Sequence, residues 1–329
     1  MPEKSGIFFD IMLPAHKIVF YGTPEIALES LKALVEGGYQ VVGVVTAPDK
    51  PAGRGMKLRA SAIKQYALEQ GLEVLQPERM SDPGFLARLQ TLDPDIQVVV
   101  AFRMLPKAVW ALPAKGTFNL HASLLPQYRG AAPINRAIMN GETETGLTTF
   151  FLRDKVDTGD IIFRESMSIG PEETAGELHD HMKVKGAELV VKTVVSIISG
   201  NANACDQSQF TDPGSPLKPA PKIFTETCRI DWTMPSAVIY NIIRGLSPVP
   251  AAFTEIRIKD GSLAKLKIFR AALGQQGPSG SPGMLTTDGR SFLKISASDG
   301  DIVINELQLE GRKPMQTDEF LRGLGRNII

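Results

Sequence analysis

Cysteine is nearly absent: Cys205 and Cys228 are the only two in 329 residues, too few for a disulfide framework, and a reducing compartment is the natural reading. The four histidines show no paired metal-ligand spacing, so no metal is expected. No apolar run reaches the roughly 18 residues that a membrane-spanning helix needs. The apolar patch Ile7–Leu13 is short, carries Asp10, and lacks a basic leader and a small-residue cleavage site; the reading is a protein of the cytoplasm with no membrane partner. Net charge is zero, so composition names no partner. The first strand-to-helix turn, Gly22-Thr23-Pro24-Glu25, lacks G-x-G-x-x-G, which sets aside a nicotinamide-linked oxidoreductase. Gly-x-Ser-x-Gly is also missing. Without a nucleophile elbow, direct transfer between two bound substrates is the expected chemistry.

What is present points to an α/β fold. With 43% hydrophobic residues over this length, two cores are expected, since single cores stop growing near roughly 250 to 300 residues. The β-branched run Lys17–Tyr21 reads as a strand. Thr23 is the expected N-cap of the following helix, with Pro24 at its first position, and Gly37-Gly38 ends it. Further buried strands are expected at 40–45, 96–101, 116–120, 148–152 and 161–163. Strands alternating with helices predict a mostly parallel sheet covered on both faces. Thr174-Ala175-Gly176-Glu177 is a capping box, followed by apolar Leu178, Met182, Leu189, Val190, Val194 and Ile197. His179 and His181 on that helix read as surface or packing residues.

Between the second strand and the next helix, Lys50, Arg54, Lys57 and Arg59 face one carboxylate, Asp49, in a Pro- and Gly-rich loop. Such a loop either is solvated surface or reaches a phosphate backbone. Its place at a strand's carboxyl end favours the second. Residues 206–221 read as a Pro-rich linker. Beyond it, short runs at 229–232, 253–258, 266–269, 292–295 and 302–309, with one helix at 236–244, suggest a small barrel or sandwich.

The stretch Phe118–Asp160 carries the chemistry. Asn119 and His121 are two apart at a strand end, so both side chains share a face and could address one oxygen. An amide and a protonated imidazole suit a carbonyl whose oxygen becomes anionic under attack. Asp157, if the next strand returns it to that edge, would orient the imidazole. The structural alternative is that Asn119 satisfies a loop, His121 packs and Asp157 caps the Asp157-Thr158-Gly159 turn.

The segments Asn119–Pro126, Arg129-Gly130-Ala131-Ala132-Pro133 and Asp157-Thr158-Gly159-Asp160 together resemble the 10-formyltetrahydrofolate-dependent formyltransferases. So do the Gly22-Thr23-Pro24 opening, the loop Pro48–Gly55, Ile230-Asp231-Trp232 and Gly311–Met315. The resemblance implies a Rossmann-like, mostly parallel sheet domain followed by a smaller OB-like β-barrel domain. It divides the chain into an N-terminal extension (1–16), a catalytic domain (17–205), a linker (206–221) and a tRNA-binding domain (222–329). It implies Asn119, His121 and Asp157 as the catalytic trio. It places Ser123, Leu124, Leu125 and Pro126 along the folate site, with Phe102, Met104 and Leu105 as an apolar wall. By the same likeness, Lys50, Arg54, Lys57 and Arg59 would bind tRNA. The implied substrates are 10-formyltetrahydrofolate and methionyl-initiator-tRNA, handled by a monomer without a metal. A nucleotide-linked amino sugar is the alternative acceptor. One departure stands out: Arg103, in Ala101–Pro106, introduces a cation beside the pterin segment, where it is expected to point to solvent.

Overall fold

In the computed structural model, residues 16–324 are described, except 53–56, 212–213, 215, 259–260 and 278–279. The chain opens with β1 (Ile18–Gly22), buried at every residue, then α1 (Ile26–Glu36) and β2 (Val41–Val45), which pairs with β1 in parallel. A short hairpin follows, β3 (Lys50–Ala52) and β4 (Lys57–Arg59). Next come α2 (Ala62–Glu69), β5 (Val74–Leu75), α3 (Pro83–Leu92), β6 (Ile96–Val100), α4 (Lys107–Trp110) and β7 (Thr117–His121). Then α5 (Pro133–Met139), β8 (Glu144–Phe151), β9 (Ile161–Ser168) and α6 (Ala175–Ile198) complete the first unit.

The sheet order is β5-β2-β1-β6-β7-β8-β9. The first five strands are parallel, and β8 and β9 form an antiparallel edge. Alternate residues of β1 feed opposite faces, as the two-residue period of a strand requires. Ile18 and Phe20 pack with Leu31 and Leu34 of α1 and Leu178 and Val190 of α6, whereas Val19 and Tyr21 pack with Phe85 and Leu89 of α3. Helices therefore cover both faces, the reason these strands are apolar throughout.

Two local expectations meet different outcomes. The capping box of α6 is formed: Thr174 Oγ1 accepts the Glu177 amide at 3.3 Å, and Glu177 Oε2 accepts the Thr174 amide at 2.9 Å. Thr23, in contrast, does not cap α1, which starts two residues later than expected, behind Glu25. Its hydroxyl instead accepts the Ala47 amide at 3.1 Å, tying the turn after β1 to the end of β2.

The second unit holds α7 (Ser236–Leu246), β10 (Ala252–Arg257), β11 (Leu263–Gln276), β12 (Leu285–Thr287), β13 (Leu293–Ser296), β14 (Gly300–Leu309), β15 (Met315–Gln316) and α8 (Thr317–Leu324). The pairings between its strands are antiparallel, in the order β10-β11-β14-β13-β12 with β15 beside β14, and the sheet curls into a half-barrel. Register shifts along β11, around Arg270 and after Leu273, supply the bending that bulges give a sheet. Ile239, Ile243 and Leu246 of α7 fill the concave side against Ile268, Ile302 and Leu307. The strand expected at 229–232 is reduced to a single bridge between Arg229 and Phe253.

The two units are joined by polar contacts, one of them from a buried arginine. Arg244, 7% exposed, donates from Nη1 to the carbonyls of Gly170 and Glu173, both at 3.2 Å. Asn135 Nδ2 donates to the Gly245 carbonyl at 2.7 Å, and Arg270 pairs with Glu177. The segment read as a bare linker is itself docked: Tyr128 N–H donates to Lys218 O at 2.7 Å, and Ala220 N–H donates to Arg129 O at 2.8 Å.

Candidate active site

Strand order reverses between β1 and β6, because β2 lies on one side of that pair and β7 on the other. Open α/β sheets bind ligands beyond the carboxyl ends of their strands at such a point. A cavity of about 640 Å³ sits there, lined by Pro24 and Ile26 after β1, Ala101–Leu105 after β6, and Asn119 and His121 at the end of β7. Asp157 lines it from the turn between β8 and β9. The amide, the imidazole and the carboxylate thus open onto one space.

Each is held differently. His121 is 7% exposed, and its Nε2 lies 2.9 Å from the Tyr128 carbonyl oxygen. A carbonyl only accepts, so Nε2 carries the proton and Nδ1 is the nitrogen left for a ligand. The Asn119 amide has no hydrogen-bond partner among the described residues. Asp157 Oδ2 accepts the Gly130 amide at 3.0 Å. The expected direct bond from Asp157 to the imidazole is therefore replaced: the Tyr128 carbonyl orients the ring, while Gly130 N–H orients the carboxylate.

The backbone around these groups is strained. Ala101, Tyr128 and Asp157 have positive φ of 47°, 58° and 54°, a conformation that costs a residue with a Cβ roughly 1 to 2 kcal/mol. Neighbouring contacts hold the strain in place. Gln207 Nε2 donates to the carbonyls of Asp157 and Gly159, both at 2.9 Å, and its Oε1 accepts from Arg129. A Cβ at Gly159 would lie 1.6 Å from the Phe151 carbonyl oxygen, so only glycine fits there. At Gly130 it would lie 2.5 Å from Ala220 O, which seats the docked segment directly against the site.

Phe102, Met104 and Leu105 line the cavity, together with Trp110 and Leu152. Leu105 is 6% exposed and Met104 76%. Arg103 is not simply solvated: Nη1 donates to Glu78 O at 2.7 Å, Nη2 bonds Pro77 O, and the guanidinium stands 5.6 Å from the Phe102 ring centre. Ser123, Leu124, Leu125 and Pro126 depart from expectation, since none of them lines the cavity. Ser123 and Leu125 are fully buried. Thr148 Oγ1 donates to Ser123 O at 2.6 Å and accepts the Leu125 amide at 3.1 Å, turning the loop inward as a brace for Tyr128.

Sequence reasoning missed that brace. Tyr128 OH donates to Glu142 Oε1 at 2.6 Å and accepts from Asn140 at 3.0 Å, and burial pushes the phenol well above its ordinary range. Lys218 Nζ reaches the same Glu142 oxygen at 2.6 Å. Burial opposes ionisation of Glu142, but the bonds from Lys218 and Tyr128 outweigh it and hold the carboxyl below its usual range. Gln207, which is 78 positions from Arg129, carried no local signal at all.

A second cavity of about 580 Å³ adjoins the first and shares Ile134, Asn135 and His179 with it. It runs between the start of α6 and the second unit, past Pro248, Val249 and Arg270. Of the basic-loop residues, Lys50 is exposed and faces Arg59 across the β3–β4 hairpin, where Ala52 faces Lys57. Arg54 lies outside the described residues. Asp49 is turned away to Lys64 at 2.6 Å and Gln76 at 2.8 Å, and those bonds hold its carboxyl below the usual range. Among the described residues, no group of three or more His, Cys, Asp or Glu could hold a metal ion, and no helix is long and apolar enough to cross a membrane.

The chain matches the formyl transferase family over residues 16–194 and the formyl transferase C-terminal domain over 222–325. It is 50% identical over 307 residues to the methionyl-tRNA formyltransferase of Bacteroides fragilis, covering 93% of this chain and 94% of that one. Identity to the methionyl-tRNA formyltransferase of Parabacteroides distasonis is 51% over 308 residues, 93% and 95% of the two chains. Among solved structures, the sugar 3N-formyl transferase WlaRD, crystallised with dTDP and 5-N-formyl-THF, superposes with a TM-score of 0.63 at 22% identity, covering 91% of this chain and 99% of that one. HypX from Aquifex aeolicus in complex with tetrahydrofolic acid gives 0.60 at 16% identity, covering 95% and 47%. Those two likenesses speak to the fold. The chain belongs to the formyl transferase family.

Proposed function

We propose that this protein transfers the formyl group of 10-formyltetrahydrofolate to the α-amine of methionyl-initiator-tRNA for the start of translation. The observation that carries this reading is the cavity at the end of β7, which gathers Asn119, His121 and Asp157 beside an apolar wall. The half-identical methionyl-tRNA formyltransferases support this acceptor. The amino-sugar alternative has only fold-level likeness behind it.

In the proposed reaction the pterin lies against Phe102, Leu105 and Trp110, which places the formyl carbon over Asn119 and His121. The α-amine attacks that carbon, and the C=O electron pair moves onto oxygen. The unpartnered Asn119 amide donates to this oxyanion, assisted by His121 from Nδ1 when protonated. A preorganised donor of this kind contributes on the order of 100- to 1000-fold. Asp157 Oδ1, left free by the Gly130 bond, takes the proton of the ammonium formed. The proton then passes to N10 of the folate as the C–N10 bond breaks, giving formyl-methionyl-tRNA and tetrahydrofolate. No Gly-x-Ser-x-Gly elbow is present, and direct attack needs only one tetrahedral intermediate.

The acceptor end is proposed to approach through the adjoining cavity past His179. Lys50, Arg54, Lys57 and Arg59 engage the acceptor stem, and residues 222–329 hold the body of the tRNA. Residues 17–205 form the catalytic domain in this scheme, and Ser123–Pro126 brace the folate site from beneath. The enzyme acts as a single chain in the cytoplasm. The test is formation of formyl-methionyl-tRNA from 10-formyltetrahydrofolate and charged initiator tRNA, with a nucleotide-linked amino sugar as competitor. Formylation of the sugar in preference to the tRNA would overturn the reading.

A further inference from the structure

One residue of the segment that joins the two units, Lys218, grips Tyr128 at both ends. Its main-chain carbonyl accepts the Tyr128 amide at 2.7 Å. Its Nζ donates to Glu142 Oε1 at 2.6 Å, the same oxygen that accepts the Tyr128 hydroxyl at 2.6 Å. The Lys218 amide donates in turn to Gln127 Oε1 at 2.8 Å. Ala220 continues the contact: its amide donates to Arg129 O at 2.8 Å, and its carbonyl accepts the Ala132 amide at 3.2 Å. Residues 218–220 therefore lie as a strap along the loop 127–132.

That loop supplies the partners of both His121 and Asp157. Tyr128 O accepts the His121 Nε2 proton at 2.9 Å, and the Gly130 amide holds Asp157 Oδ2 at 3.0 Å. Tyr128 is 5% exposed and sits at a φ of 58°, a conformation that persists only where the surroundings impose it. With its amide, hydroxyl and carbonyl each bonded, Tyr128 is fixed at three points. A carbonyl only accepts, so while it stays in place the ring keeps its Nε2 proton in both charge states. The proton gained or lost is then the one on Nδ1.

We propose that Lys218 is a positioning residue for His121: acting through Tyr128, it fixes the imidazole tautomer and so the rate of transfer, with no contact to either substrate. This rests on the role of His121 assigned above. The segment between the units thereby belongs to the machinery of the first unit. A lysine whose side chain is 46% exposed is also within reach of solvent, where it could meet an acceptor phosphate. Its Nζ is engaged by Glu142 instead, and the two roles predict different kinetics.

The test compares wild type with Lys218→Met, Lys218→Arg and Tyr128→Phe. It measures kcat, KM for 10-formyltetrahydrofolate and for charged initiator tRNA, and the imidazole nitrogen chemical shifts of His121, assigned by their loss in His121→Ala. Lys218→Met is expected to lower kcat about 3- to 10-fold, the range for one partly exposed charged contact, with both KM values kept. The nitrogen shifts are expected to move from the Nε2-protonated tautomer of wild type to a mixture of the two. Lys218→Arg should restore both readouts, and Tyr128→Phe should reproduce the loss. Because both changes act through one contact, the double variant Lys218→Met/Tyr128→Phe should be no slower than the slower single one. A wild-type kcat and tautomer in Lys218→Met would overturn the proposal, as would a kcat loss with the tautomer unmoved. A rise confined to KM for charged tRNA would overturn it by assigning Lys218 to an acceptor phosphate. If His121→Ala itself formylates at the wild-type rate, the role of His121 fails instead, and the nitrogen shifts still report whether Lys218 sets the ring.

Discussion

At the residue scale, the proposed chemistry uses atoms that the structure leaves unpaired. Asn119 keeps its whole amide, His121 keeps Nδ1, and Asp157 keeps Oδ1, while each residue's remaining polar group or backbone is tied down. Asp157→Asn separates charge from geometry, because the amide oxygen still accepts the Gly130 N–H. The expected outcome is a loss in kcat on the order of 100-fold with donor KM largely kept, since general-base groups contribute about that much. Steady-state kinetics with varied donor checks it, and an unchanged kcat would remove the carboxylate from proton transfer. That Asn119 and His121 share a face was legible in the sequence, because strand alternation alone puts them there. The partner that orients the ring was not. It is a backbone carbonyl, and a backbone carbonyl has no signature in residue identity.

At the element scale, the turns do more than the strands. β7 delivers two side chains of the proposed site, but the loop after it and the turn after β8 fix their partners through left-handed residues at Tyr128 and Asp157. Gln207, 3% exposed and reaching two carbonyls of the Asp157 turn, holds that turn from the segment before the second unit. Gln207→Ala is expected to lower kcat about 10- to 100-fold, the cost of a small misplacement of reacting groups, while the fold survives. Kinetics beside an unfolding curve distinguishes this from simple destabilisation. The capping box of α6 was readable because it is local, spanning Thr174 to Glu177. Thr23 does not cap α1, and Ser123–Pro126 do not face the cavity, for a shared reason. Their polar or apolar character suited the expected place, but distant partners, the Ala47 amide and the Thr148 hydroxyl, claimed them. β5, β12, β15 and the β3–β4 hairpin, two or three residues per strand, are too short for periodicity to register.

At the scale of the whole molecule, Glu177 joins both units: it closes the α6 capping box and pairs with Arg270 of β11. The Thr174 backbone bond first, and Arg270 second, lower its pKa to about 2. A depressed carboxylate gives stability that is complete above its unfolded pKa, near 4.3, and is lost as pH falls toward about 2. The Glu177 side chain is 44% exposed, so solvent screening reduces this to about 1 kcal/mol. Glu177→Gln keeps an acceptor for the capping box but removes the charge. The stability difference between wild type and variant should therefore be full at pH 6 and shrink between about pH 4.3 and 2. Denaturant midpoints across that window measure it, and a constant difference would contradict the assignment. A mostly parallel first sheet followed by a smaller antiparallel one was foreseeable from pattern. The docking of the units was not, because Arg244, Asn135 and Glu177 meet partners more than 70 residues away.

The proposed transfer depends on the imidazole at the end of β7. Single-turnover formylation of methionyl-initiator-tRNA by wild type and His121→Ala, at saturating 10-formyltetrahydrofolate, tests it most directly. The predicted result is rapid conversion by wild type and a rate at least about 100-fold lower in the variant, with donor affinity kept. Equal rates would contradict the claim that this cavity carries out the transfer.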